Sequence, residues 1–88
     1  MSLDAPAARV TLLGKAGCHL CDDAREVIVR VCADLGVDWT EVDITTDEAL
    51  FERYHDEIPV TLVDGEQHDI WYVSEDRLRR ALAPSAKT

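Results

Sequence analysis

Cys18 and Cys21 lie three residues apart in the stretch Gly14 to Ala24, GKAGCHLCDDA. Such a pair is a structural clamp, half of a metal site or a redox centre, and its neighbours decide which. Residues three apart on a helix hold their Cβ atoms about 5–6 Å apart. Small rotamer and backbone adjustments then reach the spacing of a disulfide. A pair that opens and closes with so little movement suits a redox centre. If a helix begins at about Cys18, its N-terminus offers half a positive charge and unsatisfied N–H groups to a thiolate there. Such sites lower a cysteine pKa from about 8.5 into the range of about 3.5–7.5. Lys15 and His19 add positive charge, whereas Asp22 and Asp23 oppose it. Cys18 is the expected nucleophile. Cys21, one turn inside the helix, is the expected resolving thiol, which attacks a mixed disulfide formed at Cys18.

The metal reading fails on distance. Zinc needs four ligands close together. Cys32 lies fourteen residues beyond Cys18, or about 21 Å along an unbroken helix. Cys32 instead reads as a small core residue beside Val31 and Leu35. His19, His55 and His68 are scattered, so no metal site and no cofactor are expected. GKAG is not a phosphate loop either, because Arg9 stands where the first glycine belongs and no Ser or Thr follows Lys15.

The elements that position the pair follow from periodicity. RVTLLG, residues 9–14, reads as a short buried strand. Leu20, Ala24, Val27, Ile28, Val31 and Leu35 mark one face of a long helix that Gly36 ends. VDWTEVDI, residues 37–44, is a second strand whose alternation changes phase between Trp39 and Val42, as an edge strand with a bulge would. A short helix follows over 45–55, with Thr45 and Glu48 at capping-box spacing and Leu50, Phe51 and Tyr54 as its apolar face. PVTLV, Asp64-Gly65 and QHDIWYV form a β-hairpin. Ser74 caps a last helix, with Val73 and Leu78 at staple positions, ending before Pro84. The order βαβαββα gives a three-layer α/β/α domain with a mixed four-stranded sheet over residues 9–83, and flexible tails at 1–8 and 84–88.

The chain has 88 residues, 47% apolar and 31% charged, an ordinary balance for one small domain. Nine basic against eighteen acidic residues give a formal charge of −9, which argues against nucleic acid as a partner. Eight carboxylates and one base, Arg53, fall between Asp38 and Glu57. They read as a solvated face, with a docking surface for a basic partner as the sharper alternative. No apolar run spans a membrane. MSLDAPAAR has no apolar segment that would serve as a secretory signal. A cytoplasmic protein is therefore expected, and there a close cysteine pair is catalytic or metal-binding rather than a staple.

A cysteine pair that follows a strand and opens a helix in a βαβ unit is a strong signal. In that setting Lys15-Ala16-Gly17-Cys18-His19-Leu20-Cys21 resembles the K-P-x-C-x-x-C stretch of the glutaredoxin branch of the thioredoxin-fold superfamily, with Ala16 in place of proline. The resemblance runs from Arg9 to Ala83, and CHLCDDA resembles a small glutaredoxin-like group in particular. Ile58-Pro59-Val60 matches a second family mark, a proline that opens the third strand. The resemblance implies a cis bond before Pro59 and gives Ile58 the backbone hydrogen bonds to a bound thiol substrate. It also implies a glutathione site made of the lysine, that backbone and a Gly-Gly-x-Asp turn before the last helix. This chain reads IWYVSEDRL over 70–78 instead, so Trp71 and Tyr72 stand where bare backbone would meet the ligand. Those aromatics either contact a substrate or pack under the last helix.

The expected activity is thiol–disulfide exchange by a monomer on protein disulfides, with weak use of glutathione. The reductant would be glutathione or a reductase. The rival is a non-enzymatic interaction or metal-carrier module that kept the cysteines.

Overall fold

The computed structural model describes residues 8–82. They run β1 (Val10–Gly14), α1 (His19–Leu35), β2 (Trp39–Asp43), a 3₁₀ turn (Ile44–Thr46), α2 (Glu48–Tyr54), β3 (Val60–Val63), β4 (Glu66–Ile70) and α3 (Glu75–Leu82). The tails expected at 1–8 and 84–88 lie outside the described residues, apart from Ala8. The sheet order is β2-β1-β3-β4. β1 and β2 are parallel, and the other two pairings are antiparallel. The Asp64-Gly65 turn takes φ of 53° and 86°, both left-handed, as a two-residue hairpin turn requires. Arg9 ties it back with two 2.9 Å hydrogen bonds to the Asp64 carboxylate.

Two apolar layers make the three-layer sandwich expected from the element order. On one side of the sheet Val10 and Leu12 pack with Ala24, Ile28, Val31 and Cys32 of α1 and with Leu78 and Leu82 of α3. On the other side Leu13, Ile44 and Val60 pack with Leu50 and Tyr54 of α2. Burying each large aliphatic side chain here contributes about 1.5–3 kcal/mol. Glu75 joins the two helices of the thicker layer, accepting from Arg30 at 2.9 Å and Arg79 at 2.8 Å.

Several local expectations need correction. The buried stripe of α1 is Cys21, Ala24, Ile28, Val31 and Cys32, rotated from the expected face so that Leu20 and Leu35 are exposed. Both cysteines lie on the stripe because their small side chains fit close to the sheet. β2 is an edge strand, but its register with β1 is unbroken, and the irregularity falls between Thr61 and Leu62 of β3. Thr45 does not cap α2. Asp43 captures its N–H at 2.8 Å and its hydroxyl at 2.6 Å, which makes the 3₁₀ turn. The helix starts later, with the Asp47 carboxylate accepting from the Leu50 N–H. Phe51 faces solvent and stacks on His55. β4 ends at Ile70, so Trp71 to Val73 are not strand. The expected cap holds at α3, where the Ser74 hydroxyl accepts from the Arg77 N–H at 3.3 Å.

Candidate active site

β1 ends at Gly14, and the loop 15–17 turns the chain into α1, with Gly17 at φ 78°. Cys18 is the N-cap of α1, and its Sγ accepts the Cys21 N–H at 3.1 Å. Cys18 and Cys21 are joined in a disulfide with their Cα atoms 5.2 Å apart. The two sulfurs differ in access. Cys18 is partly exposed, whereas Cys21 is fully buried. An external thiol therefore reaches Cys18 and not Cys21. On reduction, a negative charge on the Cys18 sulfur already has a backbone donor and the positive end of α1 beside it.

Cys21 is buried because Gly14 leaves room for it. A Cβ on Gly14 would stand 2.8 Å from the Cys21 sulfur, inside van der Waals contact. Nothing in the sequence singles out this glycine, since only the packing of α1 on β1 brings position 21 onto position 14. Cys32 is 2% exposed at the far end of the stripe, and burial, with Asp38 nearby, pushes its thiol pKa up.

The sheet register brings the other candidates to the same end. Leu13 pairs with Val60 and Val60 with Ile70, so the residues one step further, Gly14 at the end of β1, Pro59 just before β3 and Trp71 just after β4, form a row at that end of the sheet. The Trp71 N–H donates to the Pro59 carbonyl at 2.8 Å, which confirms the last step. The Ile58–Pro59 bond is cis, as the resemblance implies, and Pro59 is buried. Ile58 is partly buried against the α2-side layer. Trp71 and Tyr72 are 49% and 70% exposed, so they do not pack under α3. Trp71 has φ 67°, a left-handed conformation rare for an aromatic residue. It falls where the resemblance places a glycine.

Lys15 and His19 are exposed, and among the described residues neither enters an ion pair or a side-chain hydrogen bond. Asp22 opposes a thiolate less than its position suggests, because Arg25 binds it at 2.8 Å while pairing with Glu41 at 2.7 Å. Two groups escaped sequence reasoning. The Asp69 carboxylate accepts the Ser74 N–H at 3.3 Å and pairs with Arg77 at 2.8 Å, closing the entrance to α3. The Asp56 carbonyl accepts the Trp71 indole N–H at 3.1 Å. Glu75, at the start of α3, is turned toward Arg30 and Arg79. Among the described residues no group of three or more His, Cys, Asp or Glu side chains gathers as a metal site, and no helix is long and apolar enough to cross a membrane.

Residues 9–83 match the model of a family described as "Glutaredoxin-like domain (DUF836)". The chain is 35% identical to uncharacterized proteins of Mycobacterium bovis and Mycobacterium tuberculosis, over 88% of this chain and 84% of each relative. Among solved structures, it is similar to a structural-genomics target protein from X. campestris, at 32% identity and TM-score 0.69, covering 85% of this chain and 99% of that one. The crystal structure of a glutaredoxin from Archaeoglobus fulgidus shares the fold at 21% identity and TM-score 0.62, covering 88% of each chain.

Proposed function

For a chain that belongs to the glutaredoxin-like domain family, we propose that it is a cytoplasmic, monomeric thiol–disulfide oxidoreductase acting on protein disulfides. The observation that carries this reading is the asymmetry of the pair, with Cys18 open at a helix N-cap and Cys21 buried behind it. The Cys18 thiolate attacks one sulfur of a substrate disulfide. A Cys18–substrate S–S bond forms, the substrate bond breaks, and the released thiolate takes a proton from solvent. The Cys21 thiolate then attacks the Cys18 sulfur. The Cys18–Cys21 bond forms and the second substrate thiol leaves, so two electrons pass to the substrate. Regeneration takes two thiols, from glutathione or a reductase: the first attacks Cys18, forming a mixed disulfide and freeing Cys21, and the second attacks that mixed disulfide, releasing the Cys18 thiol and the oxidised reductant. Lys15 and His19 favour the thiolate, and the Ile58 backbone, Pro59, Trp71 and Tyr72 line the groove.

Glutathione is a weak substrate in this reading. Lys15 and the Ile58 backbone are kept. The third element of a glutathione site is replaced by the side chains of Trp71 and Tyr72, and Asp69 already holds the Ser74 N–H. Losing two or three charge-assisted hydrogen bonds weakens binding by about a hundredfold or more.

The test has two arms. The pre-reduced protein is mixed with bis(2-hydroxyethyl) disulfide and the cysteine products are mapped by mass spectrometry. Glutathione-dependent turnover is then measured beside an ordinary glutaredoxin. The reading expects a Cys18–Cys21 disulfide as product and poor glutathione turnover. A disulfide from Cys32 to either partner within the monomer overturns the assignment, and glutathione efficiency equal to the reference overturns the substrate class.

A further inference from the structure

At the row Gly14, Pro59 and Trp71, the fold leaves two aromatic side chains in solvent. Both N–H groups of Trp71 are committed to the segment that leads into β3, the main-chain one to the Pro59 carbonyl and the indole one to the Asp56 carbonyl. The indole is thus held in place by the loop while half of it stays exposed, and Tyr72 beside it is 70% exposed. Solvated aromatics in a fixed orientation offer their faces to a ligand.

The charges of the same segments point to one kind of ligand. Asp56 and Glu57 lie in the loop before Ile58, and Asp76 lies in the first turn of α3. Among the described residues no Lys or Arg pairs with any of the three, and Asp56 meets only the His55 imidazole at 3.1 Å. Neighbouring acids are already matched, Asp69 by Arg77 and Glu75 by Arg30 and Arg79. Arg53, the base nearest in sequence, lies over the Tyr54 ring at 5.1 Å and feels the Glu57 charge without forming an ion pair with it. Aromatic faces and unmatched carboxylates both attract cations. A guanidinium serves both best, since it is planar, weakly hydrated and stacks on rings.

Building on the exchange reading of Cys18, we propose that Trp71 and Tyr72, with Asp56, Glu57 and Asp76, form a docking surface for an arginine-bearing segment of a protein partner, next to the partner's disulfide. The row sets the spacing. Two strand intervals of about 4.8 Å separate β1 from β4, so roughly 10 Å lies between Gly14, against which Cys21 packs, and the Trp71 main chain just beyond β4. An extended segment advances about 3.3 Å per residue, so the arginine sits about three residues from the attacked cysteine.

Three short peptides, each closed by one disulfide and differing only at the residue three from the attacked cysteine, test this. That residue is Arg, Gln or Glu. Their reduction by the pre-reduced protein is followed by stopped flow, with bis(2-hydroxyethyl) disulfide as a neutral reference. The Arg peptide is expected to react about tenfold faster than the Glu peptide, with Gln between, and the preference to shrink in high salt. It is also expected to fall to about twofold in Tyr72→Ala and in the Glu57→Gln, Asp76→Asn double variant, each taken relative to its own rate on the reference. Equal rates for the three peptides alongside normal reduction of the reference would overturn the docking surface and leave the exchange reading standing. So would an Arg preference that neither variant changes. Failure to reduce the reference or any peptide would overturn the exchange reading, and this inference with it.

Discussion

Cys18 and Cys32 sit at opposite ends of one helix and face opposite chemical conditions. Cys18 caps the N-terminus of α1, partly open to solvent, with its sulfur on a backbone N–H. Cys32 lies in the last turns, packed among Val31, Leu78 and Leu82, where burial raises its thiol pKa. The helix field also reverses between them, favouring an anion at the first position and disfavouring one at the last. One residue type in one element thus meets conditions that favour a thiolate at one end and becomes packing material at the other.

The sharpest way to break this contrast is to remove each thiol. Cys18→Ser is expected to abolish reduction of bis(2-hydroxyethyl) disulfide, whereas Cys32→Ala keeps it. A Cys32 variant without activity would make the two ends equivalent. Next comes reactivity. In the reduced protein near pH 7, iodoacetamide should label Cys18 about a hundredfold faster than Cys32, with Cys21 between them, as peptide mapping after a short pulse will read.

Gly14 sharpens the comparison from the side of the strand. Gly14→Ala should cost the oxidised protein about 1–3 kcal/mol in urea unfolding, as overpacking does. The reduced protein should lose less, because a free Cys21 side chain can rotate away from the new methyl. Equal losses in both states would mean that the glycine does not serve the disulfide.

Cys32→Ala should lower stability by about 1 kcal/mol. Its pH dependence has a definite sign. The folded thiol pKa is raised above the unfolded one, so the contribution is fully present below about pH 8.5 and is lost as pH rises through the folded value. Urea unfolding of the reduced protein at pH 7 and pH 10 should show the Cys32→Ala variant losing less on the alkaline side than the parent does. The smallest effect belongs to His19, which is exposed and, among the described residues, enters no ion pair or side-chain hydrogen bond. His19→Ala should slow Cys18 alkylation by about two- to fivefold, the scale of one exposed polar neighbour near a helix end. An unchanged rate would leave only the helix terminus to activate the thiol.

Local rules carried much of this protein. The spacing of Cys18 and Cys21, the stop at Gly36, the Asp64-Gly65 turn and the Ser74 cap depend on neighbours along the chain, so the element order and the disulfide-capable cysteine pair were legible in it. The face of α1 was less legible. Leu20 and Leu35 are more apolar than Cys21, and periodicity favours them, but the close approach of helix to sheet selects the smaller side chain, while Cys32 is buried as expected. Capping at α2 was ambiguous for a similar reason, because Asp43 and Asp47 compete with Thr45 for the same backbone groups.

What the sequence by itself determined is therefore a set of short-range choices: a CHLC pair at a strand-to-helix junction, an acidic chain, and bulky residues at 71 and 72 where the resembled family has glycine. The tertiary structure alone decided which atoms meet. Strand register set Gly14, Pro59 and Trp71 in one row, helix packing buried Cys21 against Gly14, and an indole hydrogen bond joined residues 71 and 56. These contacts join residues far apart in the chain. Their geometry follows from how whole elements pack, which no local pattern of residue types encodes.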